Sequence, residues 1–263
     1  MKEAGVVMKF KARRWQIAII IFSAAFMGLM YLIATEFNGG TKTGTDLQIT
    51  PFPTKAIDEK PRACIVIDPG HGGFDGGASG TKTGTPESVI NLEISKYLKA
   101  ELEKSNIKVI LTRDTETALA DTKKADMKLR RSMMHDSGAD MTLSIHLNKF
   151  RDSSISGPMV FYTKGDEPSA QFAGCVLKAI CEELGRPQRL TNPGDYYVIR
   201  DSKIPAIIIE CGFLSNAEDE KKLCDSAYQK RIAAAIAKGI DEYLNNYFKT
   251  EPPLGSERAE KDI

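Results

Sequence analysis

Five short apolar runs, ACIVID (63–68), IKVILT (107–112), DMTLSIH (140–146), PMVFYT (158–163) and PAIIIE (205–210), limit what this chain can fold into. Each has the length of a strand. The segments between them follow a helical period, clearest in Ile90, Ile94, Leu98 and Leu102, which fall four apart on one face. Helical spacing recurs over 123–137 and 168–185, and in the row Ile232, Ile236, Ile240 and Leu244. Strands without polar alternation need cover on both faces, and alternation with helices supplies it. The expected fold is a single three-layer α/β domain, a mainly parallel twisted sheet between helices. Its bounds are placed at 62–249, within ordinary domain size. Thr85-Pro86 is expected to open the first helix, Thr as cap and Pro in the first turn.

Upstream, Trp15 to Ala34 form twenty residues whose only strongly polar side chain is Gln16. At about 1.5 Å per residue such a helix reaches roughly 30 Å, one hydrocarbon core. Residues 1–14 carry Lys2, Lys9, Lys11, Arg13 and Arg14 against Glu3 alone. The positive-inside rule then predicts a single-pass signal anchor at 15–34 in the cell membrane, with a cytoplasmic basic segment 1–14 and an extracytoplasmic globular domain. A cleaved signal peptide is the rival, but LIATEF offers no A-x-A-like site. Residues 35–61, rich in Gly, Thr and Pro, read as a linker, and 250–263 as a disordered tail. With 36 Lys+Arg against 35 Asp+Glu, the chain has no electrostatic case for capturing nucleic acid. Its five cysteines, Cys64, Cys175, Cys181, Cys211 and Cys224, lack C-x-x-C spacing and read as buried free thiols.

In open α/β sheets functional groups collect just beyond the carboxyl ends of strands. The first run leads into Asp68-Pro69-Gly70-His71, the third ends at His146 and the last at Glu210. Two of only three histidines thus stand at such ends. The stretch GHGGFDGGASG invites a phosphate-loop reading, yet Asp75 occupies the third glycine position of G-x-G-x-x-G. Glycines here serve instead to let backbone approach a metal ligand. Glu87, opening the helix after this loop, completes a set of two imidazoles and one carboxylate, the ligand count of catalytic zinc sites. Singly, each of these residues is more often a hydrogen-bonded surface group than a ligand; their joint placement carries the reading. Glu210 ends a strongly apolar strand, where a carboxylate needs a task at a metal or a buried partner such as Arg113 or Arg200. His135, at the end of a helical pattern, is read as structural.

IVIDPGHGGFDGGA, ESVINLEISKYL, SIHLN and IIIECGFLSN, in this order, resemble the four signatures of the zinc-dependent N-acetylmuramoyl-L-alanine amidases of the family-3 type. The likeness covers 63–247. It implies Zn2+ as cofactor, His71, Glu87 and His146 as zinc ligands, Glu210 as catalytic acid/base and peptidoglycan as substrate. Leu147 and Cys211 depart from commoner residues of these signatures without removing a ligand. Within the family the chain looks most like members that prepare muramic acid for δ-lactam formation in the spore cortex. A zinc peptidase acting on wall peptides could use the same groups, and a non-catalytic wall-binding module could keep the fold. No residue identifies an activating protein partner.

Overall fold

The computed structural model describes residues 60–250, with side chains to 246. The basic segment, the anchor, nearly all of the linker and the tail beyond Thr250 lie outside the described residues. Among the described residues no helix is long and apolar enough to cross a membrane.

The chain runs β1 (Ala63–Pro69), α1 (Glu87–Lys104), β2 (Ile107–Leu111), α2 (Lys123–Asp136), β3 (Met141–Asn148), β4 (Met159–Thr163), α3 (Glu167–Glu183), β5 (Asn192–Gly194), β6 (Ala206–Phe213), α4 (Ala217–Leu223) and α5 (Ser226–Thr250). The six strands form one sheet in the order β2-β1-β3-β6-β4-β5. Every neighbouring pair is parallel except β4 with β6. The mainly parallel, helix-covered sheet expected from the apolar runs is therefore the fold. The reversal of β4 follows from its connection: residues 149–158 contain no helix, and a parallel return needs a crossover of about a dozen residues or more.

Alternate residues of the central strands serve the two faces. Ile65, Ile67, Ile207 and Ile209 pack with Ile90, Ile94, Leu98 and Leu102 of α1 and with the apolar rows of α3 and α5. Val66, Ala206 and Ile208 pack on the other side with Met134 of α2 and with Val198 and Ile199. That second face has one long helix where the first has three, so at the strands' carboxyl ends it stays open between α2 and residues 196–198.

Several local expectations change. Helix α1 starts at Glu87, and Thr85 does not cap it; Pro86 occupies the cap position without a side-chain hydrogen bond. The free N–H groups of Glu87 and Ser88 instead donate to Ala78 O at 2.8 Å and Gly76 O at 3.1 Å, so the Gly-rich loop is the cap. Strand β5, the tripeptide Asn-Pro-Gly, and the seven-residue α4 were too short to show a period. All five cysteines are free, but only Cys181 and Cys211 are buried, and Cys224 is exposed.

Candidate active site

The sheet brings the predicted residues together because their strands are neighbours. β3 lies between β1 and β6, and His146 pairs in register with Glu210. The alternation of β3 sends Leu143, Ile145 and Leu147 into the core and leaves His146 on the opposite face, and the ladder to β6 shifts register between His146 and Asn148. Two residues beyond β1, His71 takes a left-handed backbone conformation, φ 61°, which turns its ring back over the strand ends. Glu87 arrives from the start of α1. One ligand atom from each of His71, Glu87 and His146 lies within 4.8 Å of the other two, a grouping able to hold a metal ion.

Glycine at two positions makes this convergence possible. A Cβ on Gly70 would stand 2.3 Å from His146 Cε1, and one on Gly77, itself at φ 70°, 2.6 Å from Glu87 Oε2 and 2.7 Å from His71 Cδ2. The Gly-rich loop thus lets backbone lie against the ligand side chains.

Bonds from outside the cluster orient His71 and Glu87, and Glu87 in turn holds His146. His71 Nδ1 lies 3.0 Å from Asp75 Oδ2, leaving Nε2, 3.4 Å from Glu87 Oε1, facing the cluster. Glu87 Oε1 lies 3.0 Å from His146 Nδ1 and accepts from Leu147 N at 3.1 Å and Asn91 Nδ2 at 3.2 Å. Its Oε2 accepts from Ala78 N at 2.9 Å. Burial alone would raise the Glu87 carboxyl, but hydrogen bonds and positive charge from His146 and His71 hold it far below the usual carboxylate range. For His146, burial pulls the imidazole pKa down, yet Glu87 and Glu210 outweigh it and the net direction is up.

Glu210 is in a different situation. Burial, reinforced by the Glu87 charge, pushes its pKa up to about 7, against the opposing pull of His146 and His71. Its Oε2 is buried without a hydrogen-bond partner. Neither arginine considered as its ion-pair partner serves: Arg113 donates to backbone carbonyls, and Arg200 pairs with Asp195. β6 runs three residues past Glu210, so this carboxylate lies within the strand and faces a cleft of about 290 Å³. His71 and His146 line the cleft with it, and Lys123, Tyr196 and Tyr197 form its outer walls. His135 stands apart, its Nε2 2.8 Å from Val198 O, in the structural role expected of it.

The sequence reading gave no role at the site to Asp75, Asn91, Asp68 or Arg130, and it weighed Arg113 only as a partner for Glu210; all five surround the cluster. Asp75 carried a signal, four residues after His71 in the same loop. Asp68 carried the one used for Glu210, a carboxylate at the end of an apolar strand.

Two imidazoles from strand ends and a carboxylate from a helix start, with a second carboxylate beside them whose Oε2 is unpartnered in an open cleft, are the parts of a hydrolytic site. The profile of the N-acetylmuramoyl-L-alanine amidases matches residues 65–242, and the chain belongs to that family. It is 32% identical to the germination-specific N-acetylmuramoyl-L-alanine amidase of Bacillus subtilis, over 72% of this chain and 82% of that protein. It is 29% identical to the probable cell wall amidase LytH of Staphylococcus saprophyticus, over 78% of this chain and 66%, just under two thirds, of that one. Among solved structures, the CwlD amidase of Clostridioides difficile, in complex with the GerS lipoprotein, is similar with TM-score 0.67 and 36% identity, over 70% of this chain and 99% of that chain.

Proposed function

We propose that this chain hydrolyses, in peptidoglycan, the amide joining the lactyl carbonyl of N-acetylmuramic acid to L-alanine, with Zn2+ held by His71, Glu87 and His146 and with Glu210 as catalytic acid/base. The observation that carries this reading is the buried, unpartnered Glu210 Oε2 beside a cluster of three ligand atoms. A buried carboxylate oxygen without a donor is costly unless a polar group from outside the protein meets it. The donor set suits zinc with one position left open, and Asp75 on His71 Nδ1 is the outer partner that fixes such a ring.

Bound there, zinc would supply Lewis acidity and lower the pKa of water from about 15.7 towards about 7. Glu210 Oε2 takes a proton from the attacking water as its oxygen joins the lactyl carbonyl carbon. It returns that proton to the amide nitrogen as the C–N bond breaks, leaving the free amine of L-alanine and a lactyl carboxylic acid, whose remaining proton passes to the amine or to solvent as it ionises. Tyr196, Tyr197 and Lys123 bound the space in which the sugar and the stem peptide lie.

Digestion of purified peptidoglycan by the zinc-loaded full chain is expected to release stem peptides with a new N-terminal L-alanine, leaving unsubstituted muramic acid on the glycan. A stem peptide lacking muramic acid should remain uncut, since binding energy from the sugar helps orient the reacting bond. Shortened stems still attached to muramic acid, seen by mass spectrometry, would make the enzyme a peptidase. The CwlD structure with its lipoprotein supports an accessory protein here too; full turnover by the purified chain alone would argue against one.

Likeness to the germination-specific amidase supports a role in the spore cortex. Spores lacking this protein should then be depleted of muramic δ-lactam, and a normal content would confine the enzyme to general wall turnover. The run Trp15 to Ala34 behind its basic flank supports a single-pass anchor with the catalytic domain, residues 62–249, outside. Protease added to intact cells should remove that domain, whereas cleavage only from the cytoplasmic face would reverse the topology.

A further inference from the structure

Beneath the His71 loop lie two buried arginines, Arg113 and Arg130, 4% and 2% exposed. Asp68 and Asp126 balance Arg130, with Oδ atoms 2.8 and 2.7 Å from its nitrogens. Charge balance accounts for only part of what the guanidiniums do. Arg130 also donates through Nη1 to Pro69 O at 2.7 Å and through Nη2 to His71 O at 2.5 Å. Arg113 donates through Nε to Pro69 O at 2.9 Å, and through Nη2 to Gly70 O at 2.9 Å and Ser88 O at 2.8 Å. Three consecutive carbonyls, those of Pro69, Gly70 and His71, therefore turn inward onto the two side chains.

An ion pair serving stability alone would need none of these carbonyl bonds. They hold the loop in a turn where His71, a non-glycine residue, has φ 61°, a conformation that persists only when its surroundings enforce it. Ser88 follows Glu87, and Gly70 precedes His71. The single Nη2 of Arg113 consequently spans the backbone on which two members of the cluster are mounted. Asn91 forms a second strap, its Nδ2 bonded to Gly70 O at 3.3 Å and to Glu87 Oε1 at 3.2 Å.

We propose that Arg113 and Arg130 are positioning residues that fix the separation of His71 and Glu87 before metal arrives. Metal affinity then depends on two guanidiniums that touch no ligand atom. The inference rests on the reading of His71, Glu87 and His146 as metal ligands, and the experiment separates the two.

In the full-length protein, hydrogen exchange at the amides of Gly70, Gly72 and Gly73 reports on the loop, since these donate to Ile145 O, Asp75 O and Glu116 O. Protection should be alike in metal-stripped and zinc-loaded protein. Free exchange without metal and protection only with zinc would show that metal, not arginine, orders the loop, and would overturn the proposal. Arg113→Lys and Arg130→Lys keep the charge but lose the planar fork. Each should weaken zinc binding about 10- to 100-fold in chelator competition. The same changes in a His71→Ala background should cost much less, because the ligand they position is gone. An equal loss in both backgrounds would mean general destabilisation and would sink the idea. Unchanged zinc affinity in His71→Ala itself would refute the metal-ligand reading, while the exchange result would still decide whether the loop is ordered without metal. Should the lysine variants not fold, that exchange measurement on the unaltered protein decides alone.

Discussion

Glu210→Gln is expected to keep its zinc while losing about 10²- to 10⁴-fold in kcat. Glutamine has nearly the shape of glutamate, so the cleft and the pairing of β6 with β3 should survive the change. It cannot carry a proton between water and a leaving amine. Nor does the change remove a member of the His71, Glu87 and His146 cluster. Metal content by elemental analysis and turnover on muropeptides together check this. A folded, zinc-loaded variant with near-normal kcat would exclude Glu210 as acid/base, whatever the metal does.

The same substitution has a signature without substrate. In metal-stripped protein, burial raises the Glu210 pKa from its ordinary value of 4.5 to about 7. A carboxyl whose folded pKa exceeds its unfolded one binds more protons folded than unfolded between the two values. This contribution to stability therefore falls as pH rises from about 4.5 to about 7 and stays lost above that. Glutamine cannot ionise. Relative to the unaltered protein, Glu210→Gln should gain stability to urea between pH 5 and pH 8, and a constant difference across that range would mean that Glu210 titrates normally.

What could be read before folding and what could not differ in range along the chain. The runs that became β1, β3 and β6 were legible because strands covered on both faces need no polar alternation. His146 and Glu210 stood out because they end apolar runs, and Glu87 because it opens the helix after the Gly-rich loop. Arg113 and Arg130 gave no comparable signal. The loop carbonyls they hold, Pro69, Gly70 and His71, lie 43 to 61 positions away, and every residue has a carbonyl. Thr85 misled for a related reason. Its sequence context matches a helix cap, but the helix is capped by Gly76 and Ala78, whose carbonyls come within reach only after the loop has folded over Glu87. β5 exists because the edge of β4 was available to pair with, and its proline is tolerated at that edge position.

Alanine at His71, Glu87 or His146 should remove tight zinc binding and with it the stabilisation that zinc confers. A ligand at 100 times its Kd stabilises a folded protein by about 2.7 kcal/mol. Saturating zinc should accordingly raise the Tm of the unaltered protein and leave all three variants almost unmoved, since three protein ligands leave no spare. The variants should differ from one another before metal is added. His71 and His146 are each about one-fifth exposed, and truncating them opens polar groups to the cleft. Glu87 is 3% exposed, and its oxygens accept from Ala78 N and Leu147 N. Glu87→Ala strands both N–H groups, at about 1–3 kcal/mol for each donor left buried and unpaired. The metal-free Glu87→Ala protein should therefore melt well below the other two, because this carboxylate fastens the Gly-rich loop to β3 as well as facing the metal position. Equal melting temperatures for the three metal-free variants would remove that second role, and an undiminished zinc-induced rise in all of them would remove the first.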